Sequence, residues 1–188
     1  MMAGAREHWT ARWREREGAP PGVPSPWVVE RALGLRTDAL VIDLAAGRGR
    51  HAVPLARAGR RVVAVDVVEG ALREARTQAP LDAVVADAAS LPLRDASVDA
   101  ILCVSYLDRA LFPHLHRLLR AGGLLIVETF TADQRALGRG PSDPAHLLEP
   151  GELSALLGPL RIVERSEGLV RDACGERYVA RAVGVNDG

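Results

Sequence analysis

The sequence contains no lysine. All 24 basic side chains are arginines, set against 24 acids, for a formal net charge of zero. With no uncompensated run of arginine, the chain offers no electrostatic footprint for nucleic acid. Cysteine is scarce: Cys103 and Cys174 are the two present, too few to suggest a disulfide framework or a zinc site, and no metal is expected. Cys103 lies in the apolar run AILCV and reads as core. No stretch approaches the roughly 18 apolar residues of a membrane span. The opening MMAGAREHW has no apolar h-region, so no signal peptide is expected. These absences point to a cytoplasmic, reduced setting without membrane attachment. No internal repeat or low-complexity tail is visible.

What is there is an ordinary globular balance, 48% hydrophobic and 26% charged over 188 residues, which fits a single domain over 1–188. Trp9 and Trp13, four apart, share one face of a helix expected over 5–17. The Pro/Gly segment 18–26 must break it. A second helix is expected from a Ser25 cap, with Pro26 in its first turn, to Leu33. Strands and helices then alternate: ALVIDL, GRHAVPLARAG, RVVAVD, VVEGALREARTQ, LDAVVAD, ASVDAILCV, RALFPHLHRLLRAGG and LLIVETF. Near-continuous aliphatic runs predict strands buried on both faces of a parallel sheet, and their spacing predicts right-handed βαβ units. Residues 138–153 form a long Pro/Gly-rich connection that reads as a lid. RIVERSEGLV and GERYVARAV predict an antiparallel pair at a sheet edge.

The stretch VIDLAAGRGRHA places glycines between a strand and a helix. G-R-G-R-H-A fits the dinucleotide form G-x-G-x-x-A. Such a turn lets the chain bend tightly and offers helix N–H groups to an anion. Asp43 at its mouth would repel a pyrophosphate. It would attract the ammonium of a methionyl group, whose sulfonium neighbour is also cationic. Asp66, 19 residues after Gly47, can accept ribose hydroxyls. Asp87 can accept an adenine amino group, with the Ala88 N–H reaching a ring nitrogen. Three acids at consecutive strand ends face the crevice where open α/β sheets bind ligands. The charge match favours S-adenosylmethionine over NAD.

Over most of its length the chain resembles the class I S-adenosylmethionine-dependent methyltransferases, through VIDLAAGRGRHA, VVAVD, VVADAASLPL, VDAILCVSYL and LRAGGLLIVETF. The resemblance implies an α/β, Rossmann-like, doubly wound and mostly parallel seven-stranded sheet of order 3-2-1-4-5-7-6 with an antiparallel last strand. It departs from the family in having Ala45 for the first glycine and Arg50 for a third. WTARWREREGAPPGVPSP and GRHAVPLARAG are similar to the small tellurite-resistance type. The resemblance implies cofactor contacts from Trp13, Asp43, Ala45, Gly47, Gly49, His51, Asp66, Val67, Asp87, Ala88 and Cys103.

The methyl should point beyond the fourth strand, at CVSYLDRAL. Tyr106 and Arg109 are the candidate catalytic residues, Arg109 as a holder of an anionic substrate; the alternative is an arginine paired with Asp108. Trp27, Tyr106 and Arg109 are the candidate substrate contacts. Trp9 reads as an apolar anchor, His114 and His116 as ordinary helix residues, and His146 as part of the lid. The absence of N-P-P-[YF] argues against amino groups of adenine or glutamine as acceptors. The expectation is methyl transfer to a small molecule (a thiol, chalcogen oxyanion or similar) by a monomer or homodimer, with 1–26 and 138–152 as lids. A nicotinamide-dependent oxidoreductase and a non-catalytic cofactor-binding subunit are the alternatives.

Overall fold

A computed structural model describes residues 2–188; Met1, the first residue of the expected 1–26 lid, lies outside the described residues. Seven strands form one sheet of order β3-β2-β1-β4-β5-β7-β6, the order the resemblance implied. β1 (Leu40–Leu44), β2 (Arg61–Asp66), β3 (Asp82–Val85), β4 (Val98–Val104) and β5 (Leu119–Phe130) are parallel. β7 (Gly175–Val185) runs antiparallel between β5 and the edge strand β6 (Arg161–Asp172). Helices α1 (Met2–Arg14), α2 (Pro26–Leu33), α3 (Ala52–Arg57), α4 (Glu69–Gln78), α5 (Phe112–Leu118) and α6 (Glu152–Leu156) complete the fold.

The sheet is covered on both faces, as its aliphatic strands require. Ile42, Leu44, Ile101, Cys103, Leu125 and Val127 point to one core with α5 and α6. Val41, Ala64, Ala100, Leu102 and Ile126 point to the other with α2, α3 and α4. Each fully buried aliphatic side chain contributes about 1.5–3 kcal/mol through the water-exposed area it removes.

Two local expectations differ from the structure. The helix expected through RALFPHLHRLLRAGG is only Phe112–Leu118, and β5 begins at once at Leu119. Tertiary pairing overrides helix propensity there. Leu119 aligns with Val98 of β4, and its carbonyl accepts from Asn186 Nδ2 at 2.8 Å. Gly122, at φ 77°, donates to Asn186 O at 2.6 Å. Second, Ser25 occupies the N-cap position of α2, but its side chain does not cap the helix; the hydroxyl donates instead to Glu128 Oε2 at 2.8 Å.

The 138–152 segment is anchored rather than free-standing. A single 3-10 turn (Pro144–His146) leads into buried Leu147 and Leu148. The Leu148 N–H donates to Phe130 O at 2.9 Å, and Ala132 N–H donates to Leu148 O at 2.9 Å.

Candidate active site

The parallel strands β1, β2, β3 and β4 end along one edge of the sheet, and a cavity of about 560 Å³ opens there. Its floor is the turn after β1. Ala45 and Gly47 both have positive φ, 51° and 53°. No atom lies within 4 Å of where a Gly47 Cβ would stand, so a ligand can approach that backbone directly. Gly49 has another task. A Cβ there would lie 2.9 Å from both Ala75 Cβ and Val53 Cγ2, so this glycine seats α3 against α4 and does not line the cavity.

Asp66, the last residue of β2, closes the turn from the other side. Its Oδ2 accepts the Gly47 N–H at 2.8 Å and its Oδ1 the Val68 N–H at 2.9 Å. Burial raises its pKa, while those backbone donors favour the charged form. Asp87 follows β3 and accepts the Ala89 N–H at 3.0 Å. Asp66, Val67, Asp87 and Ala88 all line the cavity. Each carboxylate keeps unused lone pairs, and Val68 and Ala71 provide apolar wall between them.

The roof is α1 and the proline loop: Trp9, Trp13, Arg12, Arg16 and residues 19–22 line it. The six-membered ring of Trp13 lies on Gly70 of α4 so closely that a Cβ at Gly70 would sit 2.7 and 2.8 Å from Cζ2 and Cζ3. Trp13 Nε1 is buried with no hydrogen-bond partner. Trp9 is 42% exposed and 6.5 Å from the His146 ring. It is therefore a rim residue and not the apolar anchor expected of it. The same contact brings His146 of the 138–152 segment to the roof.

The far end is formed by Arg50, Val104, Ser105 and Tyr106. Ser105 is a non-glycine residue at φ 54°, held there by its N–H donating to Glu128 O at 2.8 Å. Arg50 donates to Ser105 Oγ at 3.1 Å. Burial, then Asp108, raises the Tyr106 hydroxyl pKa, so the phenol is neutral and a hydrogen-bond donor at ordinary pH.

Several residues expected at the cofactor or substrate lie elsewhere. Asp43 shares the Val41 face of β1 and points under the turn. It is 2% exposed and accepts the Ala52 N–H at 3.0 Å. Burial pushes its pKa up to about 7, against the Ala52 N–H and the Arg50 charge, which lower it. His51 Nε2 accepts the Ser25 N–H at 3.1 Å; burial, then Arg50 and Arg177, push its pKa down to about 3. Cys103 is fully buried, its thiol pushed up to about 12 by that burial. Trp27 donates to Glu164 Oε1 at 2.9 Å and lies under the guanidinium of Arg31. Arg109 pairs with Glu152, not Asp108, and donates to the carbonyls of Ala145 and Leu147. Its charge is committed to the 138–152 segment.

One cluster escaped the sequence entirely. Glu128, 1% exposed at the end of β5, accepts from Arg177, Arg181 and Ser25 at 2.6, 2.7 and 2.8 Å. Asp172 holds the same two arginines from the opposite side. Nearby, Cys174 Sγ lies 3.3 Å from Val23 O in the proline loop. The partners of Glu128 are about 50 and 100 residues away in sequence, so no local pattern reports them. Among the described residues, no group of three or more His, Cys, Asp or Glu side chains is placed to hold a metal, and no helix is long and apolar enough to cross a membrane.

Residues 41–123 match the family described as methyltransferase domain. A malonyl-[acyl-carrier protein] O-methyltransferase of Xylella fastidiosa (strain M23) is 34% identical over 112 residues, covering 54% of this chain and 38% of the relative. The chain spans less than half the length of the curated relatives it matches. The magnesium protoporphyrin IX methyltransferase of Synechocystis PCC 6803, solved with bound SAM, superposes with a TM-score of 0.70 at 19% identity, covering 98% of this chain and 96% of that one. TehB from Haemophilus influenzae gives 0.68 at 16% identity over 86% and 62%. At these identities the structural likeness speaks to the fold.

Proposed function

We propose that this chain, whose residues 41–123 match a methyltransferase domain and whose sheet has the order implied by the class I S-adenosylmethionine-dependent methyltransferases, is an enzyme that binds S-adenosylmethionine and methylates a small molecule. The observation that carries this reading is the meeting of the open Gly47 backbone with the carboxylates of Asp66 and Asp87 in one cavity. Asp66 is the acceptor for ribose hydroxyls, and the Asp87–Ala88 segment supplies an acceptor and an N–H for an adenine edge. Val67 and Val68 are apolar cover for the base. Trp13, lying on Gly70, closes the site from above and excludes water.

The bound group supplies an electrophilic methyl on a cationic sulfur. In-line displacement requires chiefly that the acceptor atom be held about 3 Å from that methyl and aligned with it. The chain's own contribution is therefore placement, by Ser105, Tyr106 and Arg50 at the end of β4. The neutral Tyr106 phenol donates a hydrogen bond and is not poised as a base. An acceptor that is already a good nucleophile, such as a thiolate or a reduced chalcogen oxyanion, suits this site because it needs no proton removed. Segments 1–26 and 138–152 meet through Trp9 and His146 and act as covers.

Isothermal titration separates the readings. Binding of S-adenosylhomocysteine without binding of NAD is expected; the reverse result overturns the methyl-donor assignment in favour of nicotinamide chemistry. Turnover with thiol, selenite and tellurite acceptors then tests the acceptor class. Cofactor binding without turnover of any acceptor would leave a non-catalytic subunit.

A further inference from the structure

The charges around the cavity do not balance. Arg12, Arg16, Arg48 and Arg50 line it, against two acids, Asp66 and Asp87. Arg48 is neutralised by Glu74 at 2.5 Å. Arg50 has no ion pair among the described residues; its one hydrogen bond is to Ser105 Oγ, and the buried Asp43 influences it only at longer range. Its stem lies under the proline loop, 3.3 Å from where a Gly22 Cβ would stand. The guanidinium is thus pre-positioned beside Ser105, at the end of β4, without an acid paired to it.

S-adenosylmethionine does not correct the imbalance. Its carboxylate is offset by its own ammonium, and the sulfonium adds one further positive charge. An unpaired guanidinium lining the same cavity as that cation leaves positive charge uncompensated, and like charges brought together are unfavourable. A second anion resolves it. Resting on the methyl-donor reading, we infer that the methyl acceptor carries an oxyanion group, and that Arg50, with the Ser105 hydroxyl, is the specificity-determining pair that holds it. The planar fork of Arg50 matches a carboxylate, phosphate or chalcogen oxyanion alike. The strained φ of Ser105 fits this role: a left-handed non-glycine residue persists where surrounding structure enforces it, commonly at ligand clamps.

The test uses the protein saturated with S-adenosylhomocysteine, titrated by calorimetry with acetate, phosphate and selenite. At least one anion is expected to bind, with Arg50→Gln weakening it at least tenfold. Arg50→Lys, which keeps the charge, should retain part of that affinity. Arg73→Gln, which removes an equal charge from an exposed helix pair, should change it less than threefold. Affinity for S-adenosylhomocysteine should stay within threefold in every variant. The preferred anion identifies which oxyanion chemistry the acceptor carries. Loss of S-adenosylhomocysteine affinity in Arg50→Gln with anion binding intact would assign Arg50 to the cofactor carboxylate and overturn the inference. Absence of anion binding to the loaded wild type, or equal binding to Arg50→Gln, overturns it too. Failure of the wild type to bind S-adenosylhomocysteine would refute the methyl-donor reading itself, a separate and distinguishable result.

Discussion

Gly70→Ala isolates the roof from the rest of the fold. Gly70 sits in the first turn of α4, without the positive φ that would forbid a side chain. Alanine there would by itself stabilise the chain by about 0.4–1 kcal/mol through the unfolded state. The added Cβ cannot coexist with Trp13, however, being less than 3 Å from three atoms of its ring. The indole must lift. Part of an indole face covering a ligand contributes about 1–2 kcal/mol, so the dissociation constant for S-adenosylhomocysteine should rise about 5- to 30-fold. Displacing Trp13 offsets the helix gain, so the melting temperature should stay within about 3 °C of wild type, at roughly 2–4 °C per kcal/mol for a chain of this size. Calorimetric titration and thermal melts read the two quantities separately. A double-mutant cycle sharpens the result: with Trp13→Ala already in place, Gly70→Ala should cost almost no further affinity. Undiminished affinity in Gly70→Ala, or an equal loss in both backgrounds, would refute the assignment of Trp13 to the cofactor.

The pH dependence of stability contains two opposing contributions. Folded Asp43 keeps its proton to about pH 7, whereas an unfolded aspartate loses it near 3.8; its contribution to stability therefore falls as pH rises between these values, by about 1.4 kcal/mol per unit. His51 works the other way, since it takes up a proton near 6.5 when unfolded but only near 3 when folded, so stability falls as pH drops through that range. Asp43→Asn removes the first contribution, and its stability relative to wild type should rise between about pH 4 and 7 in denaturant titrations; a difference flat in pH would refute the burial argument. Glu128→Gln removes the carboxylate shared by Arg177 and Arg181, an omission worth about 3–5 kcal/mol in a buried pair. Because Asp172 still holds both arginines, the lower end applies, and the melting temperature should fall by about 6–12 °C; a drop below about 3 °C would show the cluster to be energetically idle. Arg109→Gln should speed limited proteolysis within 138–152 while leaving S-adenosylhomocysteine affinity unchanged, and a large affinity loss would return Arg109 to the site.

The strands were legible because parallel, doubly covered strands leave continuous aliphatic runs, and the β6–β7 pair because its turn residues stand between two such runs. The start of β5 was not, since Leu119 is drawn into the sheet by Val98 and Asn186, neither of them local. Asp66, Asp87, Gly47 and Tyr106 are readable as residues at or just past strand ends, and the fold brings all four to the lining of one cavity. Strand parity could have corrected Asp43: it shares a face with Val41, which belongs to the core under α3, and so turns away from the cavity. His51 and Trp27 were misread because their partners, Ser25 and Glu164, come from other elements. Arg50 was visible only as a departure from the family's third glycine. Its lack of an acidic partner is a property of the folded surroundings and leaves no trace in the sequence.

The Glu128 carboxylate also has a consequence for the order of assembly. It is the meeting point of the root of the roof, at Ser25, and of two arginines on β7. During synthesis the first of these segments emerges from the ribosome long before the last. A nascent chain halted after β5 would thus already hold Ser25 and its acceptor, but would carry the Glu128 carboxylate without the two guanidiniums that neutralise it, which arrive only with β7.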